Sequence, residues 1–184
     1  MKKEEISNIW NYYLALEDDF SVTSRYIEPR GQENVYSLEF AKLLILSCTE
    51  VETVFKNLCM ETENKECGNI GEYKDVILRH FPKITTAKVD ISRWGKEITP
   101  FNGWDEGKLE WWDTYTKIKH HRGSNFQNAT YKNAIYALAA LHILIIYLAK
   151  ICGVFPIIKT SLYITSDYIL LPAFAGNKNL PDFV

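Results

Sequence analysis

Apolar residues return every three or four positions along most of this chain, and that period predicts helices. Residues 4–27 place Ile6, Ile9, Tyr13, Leu16, Phe20 and Ile27 on one stripe, with Glu17, Asp18 and Asp19 turned mostly towards solvent. Glu28-Pro29-Arg30-Gly31 stops this helix, because proline restrains the residue before it and glycine opens a turn. A second helix over 37–60 starts at Ser37 as N-cap. It repeats Phe40, Leu44, Ser47, Val51, Val54 and Leu58, with Lys42, Glu52, Lys56 and Asn57 opposite. Beyond a polar linker at 61–69, a shorter helix over 70–81 gathers Tyr73, Val76, Ile77 and His80 on one side and ends at Pro82.

The period then changes. Between 85 and 101, Val89 and Ile91 alternate with polar residues, Arg93-Trp94-Gly95-Lys96 reads as a turn and Ile98 follows, which predicts a small β-hairpin. Residues 102–107 form a loop, and a fourth helix covers 109–122. Gly123 is expected to close it in a left-handed cap, with lysines and an arginine near the end where the helix dipole favours cations. Asn128 is the expected cap of a fifth helix over 129–152, which Gly153 and Pro156 end. Leu162, Ile164, Tyr168 and Leu170 alternate around Ser166-Asp167, predicting a second hairpin or an extended strap over 160–172. The expected fold is mainly all-α: one domain, an antiparallel bundle of about five helices with one or two small β-hairpins as decoration.

Composition sharpens this picture at three places. The run from Ala134 to Ala149 is almost wholly apolar, but it contains His142, is followed by Lys150 and falls short of the ~20 apolar residues that span a bilayer. It is expected to be the central helix of a bundle, apolar all round because every side is covered, and no membrane partner is expected. The four cysteines, at 48, 59, 67 and 152, lack the close spacings of a zinc site or redox motif, and Cys48 and Cys152 read as small buried hydrophobes. Neither a metal nor another cofactor is expected. The start of the chain lacks the apolar run of a signal peptide, so a reducing, cytoplasmic setting is expected. A net charge of −2 excludes a general polycation, and any nucleic-acid contact must come from a local basic patch.

Such a patch closes the fourth helix. Trp111-Trp112-Asp113-Thr114-Tyr115-Thr116 runs into Lys117-Ile118-Lys119-His120-His121-Arg122. On an ideal wheel Trp111, Tyr115, Ile118 and Arg122 fall within about 60° of one another, so Arg122 is expected to continue the buried stripe. His120 points the opposite way. One site then takes both groups only if the helix frays into its cap or a second subunit supplies the missing one. Imidazole shuttles protons and guanidinium stabilises charge on phosphorus, so the pair suits phosphodiester chemistry, with Lys117, Lys119 and Arg122 on phosphate and His120 or His121 as general acid or base. In the structural alternative Arg122 pairs with a carboxylate such as Glu50, at the shoulder of the second helix's buried stripe, and the histidines are solvated cap residues. Glu50 and Tyr115 are the supporting candidates. His142 reads as a core histidine, and the Glu17-Asp18-Asp19 run as a solvated face. Four of the five tryptophans lie between 94 and 112, where they either stack on bases or anchor an irregular segment onto the bundle.

The pattern SLEFAKLLILSCTEVE from Ser37 to Glu52, then WWDTYTKIKHHR from Trp111 to Arg122, then an alanine- and leucine-rich last helix resembles HEPN-like helical proteins of prokaryotes, over roughly residues 5–152. The resemblance is one of layout. It implies a helical bundle that often dimerises and, in many members, a metal-independent ribonuclease of toxin or anti-phage systems. Active members carry an arginine followed a few residues later by a histidine, with a polar residue usually next to the arginine. Arg122 matches that arginine and Gly123 stands in the polar slot, whereas Gln127, Asn128 and Ala129 occupy the histidine's place and His120 and His121 precede the arginine. Two function classes follow. The first is an RNA-binding or RNA-cleaving protein of a defence or stress system, expected to lose activity in His120→Ala. The second is a non-catalytic protein-protein interaction module, expected to be damaged by Trp104→Ala. A homodimer is expected in both.

Overall fold

In the computed structural model, which describes residues 1–28, 30–91 and 95–154, the helical stripes become five helices and the alternating segment a two-stranded hairpin. The predicted second hairpin over 160–172, Pro29, the turn residues Arg93 and Trp94, and Pro156 lie outside the described residues. The elements are α1 (Lys3–Thr23), α2 (Leu38–Glu63), α3 (Ile70–His80), β1 (Val89–Ile91), β2 (Lys96–Ile98), α4 (Glu110–Asn125) and α5 (Tyr131–Ile151). The fold is mainly α, as the period predicts.

α5 is the centre of the bundle. It is long and apolar enough to cross a membrane by length and composition, and here most of that run is covered, chiefly by α2 and then by α1 and α4. Phe20 near the end of α1 lies 6.1 Å from Phe40 and 5.5 Å from Tyr131, ring centre to ring centre, close to the starts of α2 and α5. Further back along α1, Trp10 and Tyr13 meet His142 of α5. α1 therefore runs antiparallel to α5. α3 lies beside α2: Phe55 stacks on Tyr73 at 5.2 Å, and Glu63 accepts hydrogen bonds from Arg79 at 2.7 Å and His80 at 2.9 Å.

Several boundaries differ from the sequence reading, each for a local reason. α1 stops at Thr23, short of residue 27, where the Thr23 and Ser24 hydroxyls take the carbonyls of Phe20 and Ser21 at 2.6 and 2.7 Å and compete with the helix for them. Glu17 is buried, not solvated, and accepts a hydrogen bond from the Tyr13 hydroxyl at 3.0 Å. α2 runs to Glu63, beyond residue 60, and closes on Asn64 in the left-handed conformation (φ 51°). The chain then turns back so that Cys67 meets Cys59, and burial with the neighbouring thiol pushes the Cys59 pKa up. Thr130, not Asn128, caps α5 by accepting from Asn133 N at 3.3 Å. Asn128 instead offers its carbonyl to the buried Asn133 side chain at 3.0 Å. Cys152 is half-buried. Gly153 ends α5 with a positive φ of 64°, as expected.

β1 and β2 pair antiparallel, with Val89 opposite Ile98 and Ile91 opposite Lys96. Their apolar residues face the bundle. The 3₁₀ turn at Pro82–Thr86 leads into them. Behind them Phe101, Trp104 and Trp111 join Phe55 in one aromatic layer, and the Trp111 indole donates to the Pro100 carbonyl at 2.8 Å. Trp104 is only 1% exposed. Of the two roles open to the tryptophans, Trp104 and Trp111 take the anchoring one, which positions the start of α4.

Candidate functional site

α4 is rooted by Trp111, Thr114, Tyr115 and Ile118, all buried, and carries the basic cluster out from that root. The lysines are already committed. Lys117 bonds Asp113 one turn back at 2.6 Å, while Lys119 lies over the Tyr115 ring at 5.2 Å and 3.9 Å from Glu52. The hydrogen bond with Tyr115 raises the Lys119 pKa, with the nearby Glu52 charge adding to it.

At His121 the helix breaks. Its backbone sits at φ −141°, ψ 52°, and its carbonyl accepts from the Ser124 hydroxyl at 3.2 Å and the Asn125 amide at 2.9 Å. The wheel drawn from Trp111 therefore does not extend to Arg122, and Arg122 is exposed and does not continue the buried stripe. Gly123 is likewise no left-handed cap: the helical run passes through it to Asn125 and a 3₁₀ turn at Phe126–Asn128. The break also removes the geometric reason for placing His120 and Arg122 on opposite faces.

His120, His121 and Arg122 are all exposed, and among the described residues their side chains have no hydrogen-bond or ion-pair partner. Glu50 does not neutralise Arg122. It is half-buried, forms no ion pair among the described residues, and burial raises its pKa. Tyr115 supports Lys119, not the imidazoles. Three clefts among the described residues are lined by other side chains. One of about 430 Å³ holds the Glu110–Lys132 pair, another of about 460 Å³ lies between Val22, Tyr26 and Ser37, and a third of about 380 Å³ lies over Trp104 and Trp112. The cluster's own side chains are exposed and so are accessible to an extended ligand. No group of three or more His, Cys, Asp or Glu side chains able to hold a metal occurs among the described residues.

One exposed aromatic residue against the segment that follows the cluster carried no sequence signal. Tyr36, in the link between α1 and α2, pairs with Thr130 in an isolated antiparallel bridge, and its ring meets Phe126 edge-on at 5.6 Å and 88°. It is 52% exposed. A lone tyrosine in a turn-rich link has no periodicity to mark it, and only the fold brings it to the segment that follows the α4 break. Scans of family models, curated proteins and solved structures returned no match to this chain.

Proposed function

We propose that this chain is a HEPN-like RNA-binding protein, or a metal-independent RNA-cleaving one, of a prokaryotic defence or stress system, working as a homodimer. One observation carries the reading: two imidazoles and a guanidinium follow one another at a helix break, all exposed and without carboxylate partners among the described residues, while the adjacent lysines are each paired with an acid. Arginine provides fork-like donors for a phosphate, and an imidazole beside it supplies the proton transfer that a 2′-hydroxyl attack requires. The break at His121 supports this within one chain, since it uncouples the direction of Arg122 from that of His120.

The test is incubation of metal-free protein with a labelled mixed RNA pool. Cleavage leaving cyclic-phosphate ends, lowered about a hundredfold or more in His120→Ala or His121→Ala and in Arg122→Ala, all of unchanged helicity, is the expected result for a nuclease. Binding without cleavage, weakened by Arg122→Ala, leaves an RNA-binding protein. Absence of both sinks the reading.

A second reading has an observation of its own. Tyr26 and Leu38 are 82% and 73% exposed beside the cleft between α1 and the start of α2, a face fit for a partner in a non-catalytic interaction module. Trp104→Ala does not test that reading, because Trp104 is core. Leu38→Asp does.

A further inference from the structure

Tyr36 sits outside the helices yet is fixed in place. Val35 accepts from the Tyr131 backbone at 2.8 Å and Glu33 from Lys132 at 3.0 Å, so the segment is tied to the first turn of α5. Its ring is held by the edge of Phe126, which itself packs on the core. Phe126 follows Arg122 by four residues. Asn125 between them leaves the α region (φ −121°, ψ 8°) and Phe126 opens a 3₁₀ turn, so the link is one of chain proximity: the Tyr36 ring lies against the segment that leads directly out of the basic cluster. An aromatic ring with half its surface in water is thus fixed against the segment four residues beyond Arg122, an exposed guanidinium without an ion-pair partner among the described residues.

On the RNA reading above, on which this inference rests, we propose that Tyr36 is the base-stacking platform of the site. Its ring takes an unpaired base of the nucleotide next to the phosphate held by Arg122, and the ligand is single-stranded RNA. Every base offers a π face, so such a platform selects strand state and not sequence. In a duplex those faces are already covered by neighbouring bases.

The experiment is fluorescence anisotropy with a labelled mixed-sequence RNA single strand and its duplex, across a salt series, for the wild type, Tyr36→Ala, Tyr36→Leu, Tyr36→Phe and Arg122→Ala. Tyr36→Leu keeps apolar bulk without a π face, and each variant's melting temperature is checked against the wild type. The expected result is a preference for the single strand, lost by about tenfold or more in affinity in Tyr36→Ala and Tyr36→Leu and kept in Tyr36→Phe. The salt slope stays unchanged in the Tyr36 variants, because no phosphate contact is removed, and falls in Arg122→Ala. Arg122-dependent binding that ignores Tyr36→Leu, or a duplex bound as tightly as the single strand, overturns the stacking role alone. So does a Tyr36→Leu chain that binds RNA normally and loses a protein partner instead. RNA binding that is missing, or indifferent to Arg122→Ala, overturns the RNA reading and this inference with it.

Discussion

His142 lies wholly inside the bundle, its imidazole 5.2 Å from Tyr13 and 5.7 Å from Trp10. Burial disfavours the charged ring and lowers its pKa from 6.5 to about 3. The unfolded chain therefore binds a proton below about pH 6.5 that the folded chain refuses. Stability from this residue is full above that value and is lost as the pH falls towards 3, at about 1.4 kcal/mol per unit. Chemical denaturation at about pH 7.5 and pH 5 is expected to differ by about 2 kcal/mol on this account, and His142→Leu is expected to remove that difference. A wild type and variant with the same pH slope would refute it. Glu33, Glu63 and Glu72, held low by their hydrogen bonds, contribute stability that is lost only below their usual 4.5. At this scale the sequence was partly legible. His142 is the core histidine its apolar surroundings announce, whereas Glu17 deceived because its neighbours Asp18 and Asp19 are solvated. The sign available in advance was Tyr13, one turn back on the buried stripe, whose hydroxyl provides Glu17 with a partner.

Helices were legible by their stripes, and their ends only in part, because ends are decided by single hydrogen bonds: Ser37 caps α2 and Gly153 ends α5 as read, whereas α1 stops early at Thr23 and Thr130 caps α5 in place of Asn128. α3, whose bounds match the reading closely, shows how such a bond works. At 11 residues it is too short to hold alone, and its start depends on Asn69, whose side chain accepts from Gly71 N at 3.0 Å and Glu72 N at 3.1 Å. Glu72 returns the bond to Gly68 N at 2.6 Å. Asn69→Ala is expected to cost about 1 kcal/mol, read as a lower urea midpoint with an unchanged slope, and Asn69→Asp to restore most of it. Equal midpoints for Asn69→Ala and the wild type would show that packing of Tyr73 on Phe55 holds α3 without the cap. α4 gives the opposite lesson. Its stripe predicts the buried root correctly through Ile118, but an ideal wheel fails at His121, where the chain leaves helical geometry. The residues of the candidate cluster are adjacent in the chain and so were legible together, whereas their facing was not, since facing depends on that one residue's backbone.

For the molecule as a whole, a net charge of −2 makes the exposed basic cluster on α4 a local feature of a body that is not a polycation. An apolar patch is uncovered as well. Val22, Tyr26 and Leu38 are exposed where the end of α1 faces the start of α2, next to the link that carries Tyr36. A second copy related by a two-fold axis would set this patch against itself and place two basic clusters on one assembly. Light scattering is expected to give about twice 21.3 kDa, with a melting temperature that rises with protein concentration. Leu38→Asp, which puts a carboxylate in the middle of the patch without touching the core, is expected to return a monomer. A wild-type monomer over a wide concentration range would refute the dimer. The same result would leave the α1–α2 face for a different partner, and the interaction-module reading would gain what the dimer lost.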